Sequence, residues 1–221
     1  MTDATTHQPP QMNTAPTGTV RVWDPLIRIF HWSLVVAFIL AWLTADEWQT
    51  THEVAGYTVA GLVAFRLVWG FAGSRYARFA QFLKGPGTTL GYIGDMMRGR
   101  ERRHLGHNPA GAAMVVALLV TLSGTAVTGW LMEDETRVAM LPEMPAIVAP
   151  AWADDDGDAQ GQRGGEEGAL EEVHETLANL MLLLVALHVG GVVLASFRHH
   201  ENLARAMVTG DKRARGPDDI A

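Results

Sequence analysis

Hydrophobic residues gather into four long runs along the chain, and charged residues fill the stretches between them. The runs cover residues 29–44, 54–71, 112–132 and 178–197. Each approaches the ~20 residues that a helix needs to cross ~30 Å of hydrocarbon. This pattern is typical of a membrane protein and predicts an all-α fold, an integral membrane four-helix bundle.

Two of the runs follow a start signal for a helix. Asp24 precedes Pro25, and Asn108 precedes Pro109. Each pair places a capping side chain before a proline, which suits the first helical position. We therefore expect the first and third helices to begin at these residues.

Lysine and arginine are distributed unequally among the connections. Seven lie between the second and third runs, and five follow the fourth run. Residues 45–53 contain none, and residues 133–172 contain two basic residues against twelve acidic ones. Because basic connections stay in the cytoplasm, we expect both termini there, in a multi-pass protein of the bacterial inner membrane.

The stretches outside the runs predict further divisions. We expect residues 1–19 to form a disordered tail, residues 20–210 the membrane domain and residues 211–221 a C-terminal tail. Segments 78–103 and 202–209 mix apolar with basic residues, which indicates amphipathic helices at the cytoplasmic interface. Residues 133–172 should form an acidic periplasmic loop, mobile over residues 154–168, where Asp, Glu, Gly and Gln dominate.

The chain has no cysteine. This count excludes disulfides, thiolate-bound iron-sulfur clusters and haem attached covalently through cysteine. Any cofactor must therefore be held by nitrogen or oxygen ligands, or by methionine.

Four of the nine histidines, His31, His52, His174 and His188, lie within or at the ends of the spans. Polar side chains are costly there and are usually functional. His174 and His188 are 14 residues apart, so they project from nearly one helix face, ~21 Å apart along the axis. The others are expected to be solvated or near lipid headgroups: His7, His104, His107, His199 and His200.

The expected orientation sorts these four histidines into two levels. His31 and His188 lie near the cytoplasmic side, whereas His52 and His174 lie near the periplasmic side. Two pairs at two depths suit planar cofactors whose iron takes one imidazole from each side, whereas a tetrahedral zinc site fits poorly. Alternatively, His52 caps its helix and His31 anchors at the interface beside Trp32.

Arg66 and three glycines accompany the histidines. Arg66 follows His52 by 14 residues, at the depth of the cytoplasmic pair, where it can neutralise a haem propionate or extend to the headgroups. Gly56, Gly190 and Gly191 lie near the histidines, where they would admit a macrocycle close to the backbone. Ordinary helix packing explains these glycines equally well.

Six segments together resemble the bacterial cytochrome b561 and nickel-iron hydrogenase b-type cytochrome family. They are VWDPLIRIFHW around His31, HEVAGY around His52, FRLVWG around Arg66, GHNPAGAAM before the third helix, LEEVHETLANL around His174 and LLVALHVGGV around His188. Members are four-helix membrane cytochromes with two non-covalent haems b, each held by two histidines. The resemblance implies that His31 and His188 hold one haem and that His52 and His174 hold the other. It further implies electron exchange with a quinone, such as ubiquinone, or with a soluble redox partner.

Several roles fit this resemblance. The first is a respiratory di-haem carrier between the quinone pool and a periplasmic partner such as a basic c-type cytochrome, which the acidic loop 133–172 would dock. The others are the membrane anchor of a hydrogenase or dehydrogenase complex and a superoxide:ubiquinone oxidoreductase, which the acidic loop disfavours. From another class, a metal transporter would need polar residues along a path, whereas Arg66 is the sole charged residue well inside a span. No nucleic acid is expected as a partner.

Overall fold

The computed structural model describes residues 18–134, 137 and 159–220, and of residues 159–167 the backbone alone. The described elements are β1 (Thr19–Arg21), α1 (Pro25–Thr44), α2 (Gln49–Ala72), α3 (Phe79–Phe82), α4 (Pro86–Met97), α5 (Pro109–Met132), α6 (Ala159–Arg198), α7 (Leu203–Thr209) and β2 (Asp211–Arg213). The predicted all-α fold is confirmed. Short helices also occupy both segments predicted to be amphipathic.

Four helices, α1, α2, α5 and α6, are long and apolar enough to cross a membrane. The predicted starts of α1 and α5 are confirmed, because Asp24 accepts a hydrogen bond from the Ile27 amide at 3.0 Å and Asn108 accepts one from the Gly111 amide at 2.7 Å. Large apolar side chains such as Leu43 and Phe71 are 72% and 77% exposed. Surfaces of this kind are suited to lipid.

Helix α6 is longer than the sequence indicated. Residues 159–172 were expected to belong to the acidic loop, but they form the first turns of a helix of 40 residues. Ten of these fourteen residues are strong helix formers, namely Ala, Gln, Arg, Glu and Leu, and the four glycines among them do not interrupt the helix. At ~1.5 Å per residue the helix exceeds the bilayer core, so its first part extends beyond it. The acidic stretch 138–158 and the tail 1–17 lie outside the described residues.

The four spans form a bundle in which neighbours in sequence pack together. The most extensive contacts join α1 to α2 and α5 to α6, and α2 also packs against α5. The central core comprises Ala37, Val59, Val63, Leu119, Leu122 and Met181. Within the described chain, α6 does not pack along α1 or α2.

A small folded layer covers one end of the bundle. We call it the platform; it comprises β1, α3, α4, α7, β2 and the segments 98–108 and 214–220. Strand β1 pairs antiparallel with β2, so the residues that follow the predicted N-terminal tail lie beside the start of the predicted C-terminal tail. The core of the platform contains Val22, Trp23, Ile27, Ala77 and Ala206. The bundle end beside it is the platform end, and the opposite end, where α5 leads towards α6, is the loop end.

A buried ion-pair network holds the C-terminal part of the platform. The Arg103 guanidinium, 4% exposed, binds the carboxylates of Glu201 and Asp219, and Lys212 lies 3.5 Å from Glu201. After α6 ends at Arg198, His200 lies in the left-handed region (φ 48°), and the Glu201 amide donates to the Ser196 carbonyl. This turn directs the Glu201 carboxylate towards Arg103.

Glu201→Gln should loosen the platform strongly, because Arg103 would keep only one of its two carboxylate partners. Breaking a buried ion pair costs about 3–5 kcal/mol. Asp211→Asn is the matched control, since the Arg21–Asp211 pair is exposed and such pairs contribute about 0–1 kcal/mol. Amide hydrogen exchange over residues 203–220 measures both effects, and equal protection in the two variants would exclude a structural role for the network.

Acid should loosen the platform too. Burial raises the pKa of Glu201, but the hydrogen bond from Arg103 and the charge of Lys212 outweigh burial and lower that pKa below its ordinary value of 4.5. A carboxyl with a lowered pKa stabilises the fold above its unfolded value, and this contribution is lost as pH falls through the folded value. Exchange protection, corrected for intrinsic rates, should therefore hold down to about pH 5 and fall below about pH 4.5. Protection that is constant down to pH 3 would contradict this linkage.

Candidate functional site: two histidine pairs in the bundle

The structure brings His31 and His188 together near the platform end. His31 lies in the second turn of α1, and His188 lies on α6 ten residues before its end. The centroids of the two rings are 6.4 Å apart, and their planes cross at 51°. The predicted proximity of this pair is confirmed.

His52 and His174 meet in the same way near the loop end. His52 lies in the first turn of α2, and His174 lies on α6 four turns before His188. Their ring centroids are 6.3 Å apart, and their planes cross at 72°. Both pairs therefore join helices that do not pack along each other, at two depths of the bundle.

The ring separations suit a metal ion held between two imidazoles. If each ring binds through one nitrogen at ~2 Å, the centroids of two opposed rings lie ~6 Å apart. Aromatic rings in simple contact cover the same range, so the distance does not decide alone. Among the described residues, no three histidine, aspartate or glutamate side chains could hold one metal ion together. The described histidines instead form two separate pairs, an arrangement that suits iron in a planar macrocycle.

Hydrogen bonds at the loop end fix the ring nitrogens. Nδ1 of His52 lies 2.8 Å from the Ala41 carbonyl oxygen, one of the last four carbonyls of α1, which lack a partner in their own helix. A carbonyl only accepts, so Nδ1 carries the proton and Nε2 keeps its lone pair. Nδ1 of His174 lies 2.9 Å from the Thr128 hydroxyl oxygen on α5. Partners of this kind are typical of metal-binding histidines.

Arg66 lies inside the protein near the platform end. It is 4% exposed, its Nη2 donates to the Ala77 carbonyl at 3.1 Å, and its guanidinium lies 4.8 Å from the Phe79 ring centroid. The alternative, in which Arg66 extends to the headgroups, is not what the structure shows.

Unpaired buried nitrogens concentrate at this same end. Among the described side chains they are Arg28 Nε, His31 Nδ1, Arg66 Nη1 and His107 Nδ1. Buried N–H groups rarely lack an acceptor, because the loss of water is costly. Arg28 Nε and Arg66 Nη1 always carry protons, so the site suits a partner that brings anionic oxygens.

The expectation of a solvated His107 is wrong. Its ring packs between Trp23 and Phe82, with centroid distances of 4.8 and 4.5 Å. The Lys212 ammonium donates to the His104 and Leu105 carbonyls and holds this segment inside the platform. Burial, followed by the charges of Arg66 and Lys212, lowers the pKa of His107 to about 3.

The glycines near the histidines separate into two groups. A Cβ at Gly56, Gly190 or Gly191 would meet no atom within 4 Å, so close helix packing does not account for these residues. Gly129 differs, because a Cβ there would lie 3.1 Å from Cε1 of His174. Its missing side chain lets the His174 ring rest against α5.

Sequence reasoning missed three residues of the site: Thr128, Gly129 and His107. A threonine or a glycine in an apolar helix gives no signal of its own, since both are common there. His107 lies directly before a helix start that the sequence does show, but its ring packs against Trp23 and Phe82, which are distant in sequence.

The fold and the site define a class: four-span membrane proteins with two histidine pairs stacked inside the bundle. The family model for prokaryotic cytochrome b561 matches residues 22–210, and the chain belongs to that family. It is a multi-pass protein of the bacterial inner membrane that binds b-type haem and transfers electrons. No curated protein and no solved structure matches the chain significantly.

Proposed function

We propose that the protein is a di-haem electron carrier that exchanges electrons between the quinone pool and a periplasmic redox partner. His31 and His188 would bind one haem b, and His52 and His174 the other. The observation that carries this proposal is the pair of ring separations, 6.4 and 6.3 Å, at two depths of one bundle. Each haem would supply a one-electron iron couple.

The protein's own residues would determine which reaction the haem iron can carry out and how the haem is held. Two imidazoles per iron leave no open coordination position, which favours electron transfer over oxygen binding or oxygenation. At the platform end, Arg66 Nη1 and Arg28 Nε would offer donors to haem carboxylates. The glycines beside His52 and His188 leave room for a macrocycle next to the backbone.

The orientation and the partner form part of the same proposal. Most basic connections flank the platform, so we place the platform in the cytoplasm and the loop end in the periplasm. The acidic residues of segment 133–172 would then attract a basic periplasmic protein, such as a c-type cytochrome, to the haem of His52 and His174. Most of that segment lies outside the described residues, so the proposal that it docks a partner rests on its negative charge.

Haem content tests the proposed ligands directly. The pyridine haemochrome of the purified protein should give two haems b per chain. His52→Ala and His174→Ala should each lose the same haem, and His31→Ala and His188→Ala should both lose the other, as their separate optical bands would show. His200→Asn is a control, because that side chain is exposed and belongs to neither pair, and asparagine tolerates the left-handed backbone at this position. If the members of a pair lost different haems, the assignment would be wrong.

Arg66→Gln tests the carboxylate contact. The variant should lower the midpoint potential of the platform-end haem, because a nearby cation offsets propionate charge and favours the reduced iron. The haem of His52 and His174 should keep its potential, since Arg66 lies at the opposite end of the bundle. Arg28→Gln, at a more exposed residue, should have a smaller effect. A redox titration in which Arg66→Gln matches the wild type at both haems would exclude the contact.

A further inference from the structure

Helix α5 provides none of the four paired histidines, yet its residues Thr128 and Gly129 both border the His174 ring. Thr128 Oγ1 lies 2.9 Å from Nδ1, and the backbone at Gly129 borders the same ring. These are two neighbouring residues on the helix that packs most closely against α6.

The direction of the Thr128 hydrogen bond follows from its other contacts. The hydroxyl oxygen is also 3.0 Å from the carbonyl oxygens of Gly124 and Thr125, which can only accept. The single hydroxyl proton is therefore donated to α5, as is usual for threonine in a helix. The oxygen is left as an acceptor, so the His174 Nδ1–H donates to it.

This arrangement decides which nitrogen of His174 is available. With the proton on Nδ1, the lone pair is on Nε2, as it is in His52. The opposite assignment would place a proton on Nε2, where it would block a metal ion. At the other end of the bundle, Nδ1 of His31 is buried without any partner.

We infer that Thr128 is a positioning residue, which fixes the tautomer and the orientation of His174 as a haem ligand through the Nδ1–H···Oγ1 bond. This inference rests on the proposed function, since it presumes that His174 binds haem. A hydrogen bond to the far nitrogen makes an imidazole more basic and so favours oxidised iron. Thr128 thus makes the haem of His52 and His174 harder to reduce, without touching it.

The test is Thr128→Val, which keeps the branched shape and removes the acceptor. Haem at this site should dissociate 10–100-fold more readily, and its midpoint potential should rise, whereas the haem of His31 and His188 keeps both properties. Thr128→Ser should restore both values, because serine retains the hydroxyl. A redox titration of the haem-loaded protein, with haem transfer to apomyoglobin, measures the two quantities.

Thr125→Val is the matched control. Thr125 lies one turn earlier on α5, and its hydroxyl donates to the Thr121 carbonyl at 2.9 Å. Thr125→Val should match the wild type in haem potential and haem retention. Its thermal stability should match that of Thr128→Val. The inference is overturned if Thr128→Val leaves potential and haem retention unchanged, or if Thr125→Val alters them equally. Wild-type protein that binds no haem through His174 would instead overturn the proposed function.

Discussion

The whole arrangement depends on imidazoles that meet across the bundle from helices that make no extensive contact along their lengths. Polar rings inside a membrane are costly unless their nitrogens are engaged. The structure engages His52 and His174 on one nitrogen each, through Ala41 and Thr128, and opposes their rings at 6.3 Å. A metal ion between the two rings of each pair would bind a remaining nitrogen of each ring. It would thereby join α6 to α1 in one pair and to α2 in the other. The cofactor would thus be part of the bundle's cohesion.

The two ends of the bundle are built differently. At the loop end, the backbone of α1 and a hydroxyl of α5 hold the histidines. At the platform end, Arg66 Nη1 has no acceptor and His107 Nδ1 has no hydrogen-bond partner, and the platform shields both nitrogens. The buried Arg103 network fixes the platform in turn. In the proposed assignment, the loop end would fix the orientation of its iron ligands, whereas the platform end would offer donors to the propionates of its haem.

The sequence alone predicts much of the fold and of the histidine site, for physical reasons. Span number, helix starts and both histidine pairs follow from local pattern: apolar runs, Asp24 and Asn108 before prolines, and the interval of 14 residues between His174 and His188. The missed features depend on partners distant in sequence. Arg103 meets Glu201 and Asp219 about 100 residues later, and the Thr128 hydroxyl meets the His174 ring 46 residues later. The early start of α6 was missed because glycines and acidic residues indicated a loop.

The central claim is that each of two irons is bound by a histidine from either side. Carbon monoxide tests it most directly, because this ligand binds reduced haem iron only where a coordination position is open. The account predicts that the optical spectrum of the dithionite-reduced protein stays unchanged under carbon monoxide, and that His174→Ala makes one haem, if retained, reactive. A carbon monoxide-shifted Soret band in the intact wild-type protein would contradict the claim.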